Sequence, residues 1–139
     1  MAAAKDLEIW TLSVPIPKLA GELAARAETA GFDGIAFTDS QNLTGDVFAG
    51  LALAANATRR IKLATGVTNP VTRHPAATAS GIATVHALSN GRAVLGIGRG
   101  DSALFQIGQE PAPLADFERY LARVAGYLRG VEVDLDGFA

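Results

Sequence analysis

Cysteine is absent from this sequence. Without it there is no disulfide, no thiolate nucleophile and no cysteine-based metal centre, and the composition fits a reducing compartment. Histidine is scarce, with only His74 and His86. His74 precedes a proline at a helix start and His86 falls inside a helical pattern, so a metal site built from protein ligands alone is not expected. No Ser-His-Asp arrangement can be read either. Charge of one sign is also lacking: 12 Lys and Arg stand against 14 Asp and Glu, scattered along the chain, for a net charge of -2. Nothing there points to nucleic acid. No apolar run has the length of a membrane span, and "MAAAKDLEIW" has an acidic residue where a secretory leader would have its apolar core. The expectation is a cytoplasmic protein with no metal, no nucleic acid and no membrane among its partners.

What is present is apolar and periodic. Hydrophobic residues make up 49% of 139 positions, enough for one domain, 1–139, with a real core and too many for general disorder. "LEIWTLSV" (7–14) reads as a strand stopped by Pro15 and Pro17. "KLAGELAARAETAG" reads as a helix with Leu19, Leu23, Ala27 and Ala30 on one face and Gly31 at its C-terminal cap. "FDGIAFTDS" is a second strand. "TGDVFAGLALAANATRR" is a second helix, with Thr44 as its cap and Phe48, Leu51 and Ala55 on one face. "IKLATGV" is a third strand. "HPAATASGIATVHALSNG" is a third helix, with Pro75 in its first turn and Asn90-Gly91 at its end. "RAVLGIG" is a fourth strand. "PLADFERYLARVAGYLRG" is a fourth helix with Leu114, Phe117, Leu121, Val124 and Leu128 on one stripe.

Strand and helix alternate four times, at a spacing normal for βαβ units. Near-continuous apolar strands call for a parallel sheet covered by helices. Two α/β architectures fit: an open doubly wound sheet, or about four units of a (β/α)8 TIM-type barrel. In both, ligands meet the carboxyl ends of the strands. Those ends read "TDSQN", "TGVTNPVTRH" and "GIGRGDS", and polar residues concentrate there. "GIGRGD" lacks the Lys-Ser/Thr of a Walker loop and the spacing of the dinucleotide fingerprint, which disfavours a nucleotide-binding sheet. Its glycines serve either a ligand or only the turning of the backbone. Asp39 and Asp101 are either ligand-binding carboxylates or caps of local structure.

The block "TGVTNPVTRHPAATASGIATVHALSNGRAVLGIGRGDSAL" resembles the luciferase-like monooxygenase superfamily, on its methylenetetrahydromethanopterin-reductase-like branch. "AGFDGIAFTDSQ" and "PAPLADFERYLARVAGYLRG" fit the same pattern on either side. The resemblance covers nearly the whole chain but the N-terminal half of the family's barrel. It implies a (β/α)8 fold and an FMN or deazaflavin F420 ring over the strand ends, without choosing between the two. It implies hydride transfer, or oxygen activation, on a small organic substrate. It further implies that Asp39 is the acidic residue after the second strand, with a catalytic and ring-binding place, and that Ser40 replaces a histidine found in many members. Gly66-Val67 takes the position of a non-prolyl cis peptide. Thr68 and Asn69 take ring- and tail-contacting positions, and Gly98, Gly100 and Asp101 belong to the loop beside the cofactor.

Four parallel strands leave two open edges, and neither "LEIWTLSV" nor "RAVLGIG" carries the charges or internal prolines that protect an edge. Ile9, Ala36, Leu63 and Leu95 come from strands whose inner face a full barrel would cover. The expectation is a homo-oligomer, with two copies closing edge to edge into eight strands; the alternative is that "VEVDLDGFA" covers the edges. A non-catalytic half-barrel used in assembly is the rival to the enzyme reading.

Overall fold

The computed structural model describes residues 7–136. Four strands, β1 (Trp10–Ser13), β2 (Gly34–Phe37), β3 (Lys62–Thr65) and β4 (Ala93–Val94), form one sheet in the order β1-β2-β3-β4. All three pairings are parallel. Between them run α1 (Ala20–Thr29), α2 (Val47–Ala57) and α3 (Pro75–Leu88); a short α4 (Ser102–Phe105) and α5 (Leu114–Arg129) follow β4. A doubly wound sheet reverses its strand order at a switch point. This one never does, so crossovers of one hand lay successive helices side by side on one face, as in a barrel. The two architectures left open by periodicity are thereby separated.

The core lies between that face and the helices. Ile35, Phe37 and Leu63 point to it and pack with Ala20, Ala24, Leu51 and Ala54. The α1 face is made by Ala20, Ala24 and Ala27; Leu19, expected on it, is largely exposed. In α5 the buried residues are Tyr120, Val124 and Gly126, while Leu114, Leu121 and Leu128 of the expected stripe are exposed. The cap of α2 is Asp46, whose carboxylate accepts from the Ala49 amide at 2.9 Å, two residues beyond the expected Thr44. Leu63 faces the helices, so the alternation that the sequence left open is fixed with Leu63 on the helix side.

The opposite face carries the register row Leu12, Ala36, Ala64 and Val94. No helix covers it among the described residues, and Leu12 is 63% exposed. Large residues of β1 lie over small ones of its neighbours there: Trp10 occupies the space a Cβ on Gly34 would need, and Leu12 does the same at Gly66. The segment 131–136 does not cover an edge. It folds back on α5, where the space above Gly126 receives Val133 and Arg123 Nε donates to the Asp134 carbonyl. Residues 137–139 of "VEVDLDGFA" lie outside the described residues.

At the amino ends of the strands, one turn between α2 and β3 is held from both sides. Glu28 accepts from the amides of Arg59, Arg60 and Ile61 at 2.6 to 3.2 Å. The Arg92 guanidinium donates to the carbonyls of Ala55, Thr58 and Ile61 and to the Thr58 hydroxyl. Donors and acceptors of the turn are thus satisfied by two charged side chains, one of them at the carbonyl end of α2, where a cation is favoured. Burial works against the charge on Glu28, but the amides of Ile61, Arg60 and Arg59 outweigh it and hold the carboxyl below its usual range.

Arg92→Met is expected to cost about 3 kcal/mol, because buried carbonyls lose a charged donor; urea denaturation measures it. Glu28 adds a pH dependence. Its folded-state value is lowered, so its stabilisation is full above the ordinary carboxyl value of about 4.3 and is lost as pH falls through the lowered one. Glu28→Gln should therefore flatten the acid limb of the stability curve, and an unchanged limb would assign that limb to other groups.

Candidate functional site

Beyond β3 the ladder to β4 is interrupted and then resumes. Ala64 pairs with Val94 and Thr68 bridges Ile97, so four steps on one strand match three on the other. This is a bulge with one extra residue on the β3 side. It contains the Gly66–Val67 peptide, which is cis, as the family resemblance implies. The buried Thr65 side chain fills the gap: its hydroxyl donates to the Gly96 carbonyl at 2.7 Å and accepts from the Gly96 amide at 2.8 Å. Only glycine fits at 96, since a Cβ there would overlap the Thr65 carbonyl oxygen and crowd Val67.

The bulge turns its residues toward a cavity of about 380 Å³ at the carboxyl ends of β2, β3 and β4. Every residue expected to serve a ligand lines it: Asp39 from the end of β2; Gly66, Val67, Thr68 and Asn69 from the bulge; Gly98, Gly100 and Asp101 from the loop after β4. Val67 is half exposed and presents its methyl groups beside Gly96 and Gly98. Gly100 has φ +93, with Leu104 in the space a side chain would need. Asn69 is buried and shapes its loop, its Oδ1 accepting from the amides of Val71 and Thr72 at 3.0 Å each.

The two carboxylates differ. Asp101 is exposed and caps α4 through the Ser102 amide, and that local bonding to Ser102 holds its carboxyl below the usual range. Asp39 is 4% exposed and accepts from two side chains. Its Oδ1 accepts from Gln41 Nε2 at 2.8 Å and from Arg73 Nη2 at 3.1 Å, and its Oδ2 accepts from Arg73 Nε at 3.1 Å. Arg73 also donates to Asp46 Oδ2 at 2.7 Å and lies 5.0 Å from the centre of the Phe48 ring. Burial opposes the guanidinium charge, yet Asp39 and Asp46 push its proton affinity above an already high value.

Sequence reasoning passed over Arg73, although it stands within the quoted block, because nothing in linear spacing pairs position 73 with 39 and 46. Thr38, Ser40, Arg99 and Ser102 also line the cavity; they lie within the quoted strand-end segments, but none was assigned to a ligand. Thr38 and Thr68 carry a signal that only the folded chain displays: their hydroxyls are buried with no hydrogen-bond partner. His74 is exposed and accepts from the Ala76 amide as the cap of α3.

A sheet wound in one direction, with its glycine-rich and polar loops gathered around one cavity at the strand ends, defines a barrel-type α/β chain. It belongs to the luciferase-like monooxygenase family, whose model matches residues 11–138. The 5,10-methylenetetrahydromethanopterin reductase of Methanolobus tindarius is 43% identical over 128 residues, covering 90% of this chain and 38% of that protein. The solved structure of the coenzyme F420-dependent tetrahydromethanopterin reductase from Methanopyrus kandleri superposes with a TM-score of 0.83 at 31% identity, over 94% of this chain and 43% of that one. A type II Baeyer-Villiger monooxygenase of Pseudomonas putida, solved with FMN, shares the fold at a TM-score of 0.69 and 21% identity, over 83% of this chain and 37% of that one. The chain therefore spans less than half the length of the relatives it matches.

Thr65→Val should cost about 2 kcal/mol, since two Gly96 backbone groups lose their partner in a buried place. Thr65→Ser should recover most of it, keeping the hydroxyl. Thermal unfolding of both variants tests this, and equal stability of the valine variant would contradict the bridging role.

Proposed function

We propose that this chain contributes the ring-binding side of a flavin- or deazaflavin-dependent oxidoreductase, with the ring in the cavity at the ends of β2, β3 and β4. One observation carries the reading: all eight residues assigned by family resemblance line one cavity. Its volume falls within the usual span for small-molecule sites, roughly 300 to 1,000 Å³. The residues suit such a group. Gly98 leaves open a wall where a Cβ would come against Val67, so backbone can approach a flat ligand. The buried hydroxyls of Thr38 and Thr68 lack partners inside the protein. Val67 offers an apolar surface, and Asp39 and Asn69 offer polar contacts for ring or tail.

When bound, such a ring supplies hydride transfer or, for a flavin, oxygen activation. The residues present here bind, orient and shield. The relatives with F420 in their names support the deazaflavin, and the shared fold with an FMN-containing monooxygenase supports the flavin. The substrate class is a small organic molecule. The absence of cysteine supports a cytoplasmic place. A second reading, a non-catalytic half-barrel used in assembly, is favoured by the uncovered face bearing Leu12 and Val94. On either reading that face calls for cover, and a second copy closing edge to edge would supply it.

Titration of FMN and of F420 with the chain, followed by ring fluorescence, tests the proposal. Saturable binding of at least one ring is expected, weakened at least tenfold by Gly98→Val with folding intact by circular dichroism. No binding of either ring by the folded chain would contradict it and favour the assembly reading.

A further inference from the structure

Asp39 and Asp101 both line the cavity, but their freedom to act there is unequal. An ionised carboxylate offers about four acceptor positions. In Asp39 three are taken, two on Oδ1 and one on Oδ2. Each of the three partners is an N–H donor, so the carboxylate serves all three as an acceptor. One acceptor position remains, on Oδ2, at a side chain only 2% exposed. The direction of that position is set by Arg73, whose planar fork holds both oxygens.

Arg73 is itself held from three sides. Asp46 binds Nη2 and is anchored as the cap of α2. The guanidinium lies over the Phe48 ring, which packs where a Cβ on Gly81 of α3 would have to be. His74 and Pro75, the next residues, start α3. The guanidinium is thus tied to α2 and α3 and joins the loops after β2 and β3. Its Nε and Nη2 donors are turned to Asp39 and Asp46, and its side chain is 19% exposed.

We propose that Arg73 is a positioning residue: its fork fixes Asp39 as an acceptor with one open position, on Oδ2, for a single N–H or O–H donor of the bound cofactor. This rests on the reading of the cavity as a ring site. It assigns Asp39 a receiving role. A lysine at position 73 would keep the charge but lose the fork, since an ammonium is a point charge that cannot hold both oxygens in one plane.

The test uses the whole chain as wild type, R73K, D39N and the double variant. FMN and F420 affinities are read from ring fluorescence, melting temperature checks the fold, and NMR measures exchange of the Arg73 Nε–H without any ring. In the wild type the Nε–H should exchange slowly, and D39N should speed it. R73K and D39N should each weaken ring binding at least tenfold, and the double variant should be no weaker than the worse single one, because both remove one directed acceptor. Wild-type affinity in a folded R73K overturns the proposal, as does fast Nε–H exchange in the wild type. Should the folded wild type bind neither ring, the reading of the cavity fails, and the exchange measurement alone then judges the ion pair.

Discussion

Each crossover in this chain returns to the next strand along, and the consequences of that constraint run through the molecule. Helices added with one hand and one direction all land on the same face. Ile35, Phe37 and Leu63 are buried under them, while Leu12 and Val94 on the other face stay open. The strands share a direction, so their carboxyl ends gather at one end of the sheet and the residues that follow them meet there. The cavity is the product of that convergence. No single loop builds it: β2 supplies Asp39, the bulge after β3 supplies Gly66 to Asn69, and the loop after β4 supplies Gly98 to Asp101.

The two ends of the sheet solve opposite problems. At the amino end, Glu28 and Arg92 meet the unpaired amides and carbonyls of one tight turn. At the carboxyl end, Thr65 repairs the ladder where the bulge breaks it, and Arg73 ties two loops together, but the hydroxyls of Thr38 and Thr68 remain without partners. Buried polar groups are seldom left so. A scaffold that satisfies its turn at one end and leaves donors waiting at the other has the division of labour expected of a barrel, with stability below and chemistry above.

Much of this was legible in the sequence. Strand and helix order followed from apolar periodicity and from turn residues such as Gly31, Asn90 and Gly91, all three of which have positive φ. The eight residues around the cavity followed from motif resemblance, and their common location from the rule that strand ends carry ligands. What periodicity did not resolve was facing. Alanine-rich helices have weak amphipathic contrast, so α1 presents Ala20 and Ala24 where Leu19 looked the better anchor. The four-residue α4 is too short to have a period. Thr44 and Asp46 are both good caps, and the choice fell to Asp46, which also binds Arg73. The deeper omission is Arg73 itself: its partners lie 27 and 34 positions away, and only the parallel placement of β2 beside β3 brings them together.

The central claim is that a ring lies against the bulge and the loop after β4. Amide chemical-shift mapping by NMR, with F420 or FMN added to the labelled chain, reads its location directly. The account predicts that the largest shifts cluster at residues 38–40, 66–69 and 98–102, with those of the Glu28 and Arg92 turn unmoved. Shifts centred elsewhere, such as the cleft between α3 and α5, or no shifts in a folded chain, would contradict it.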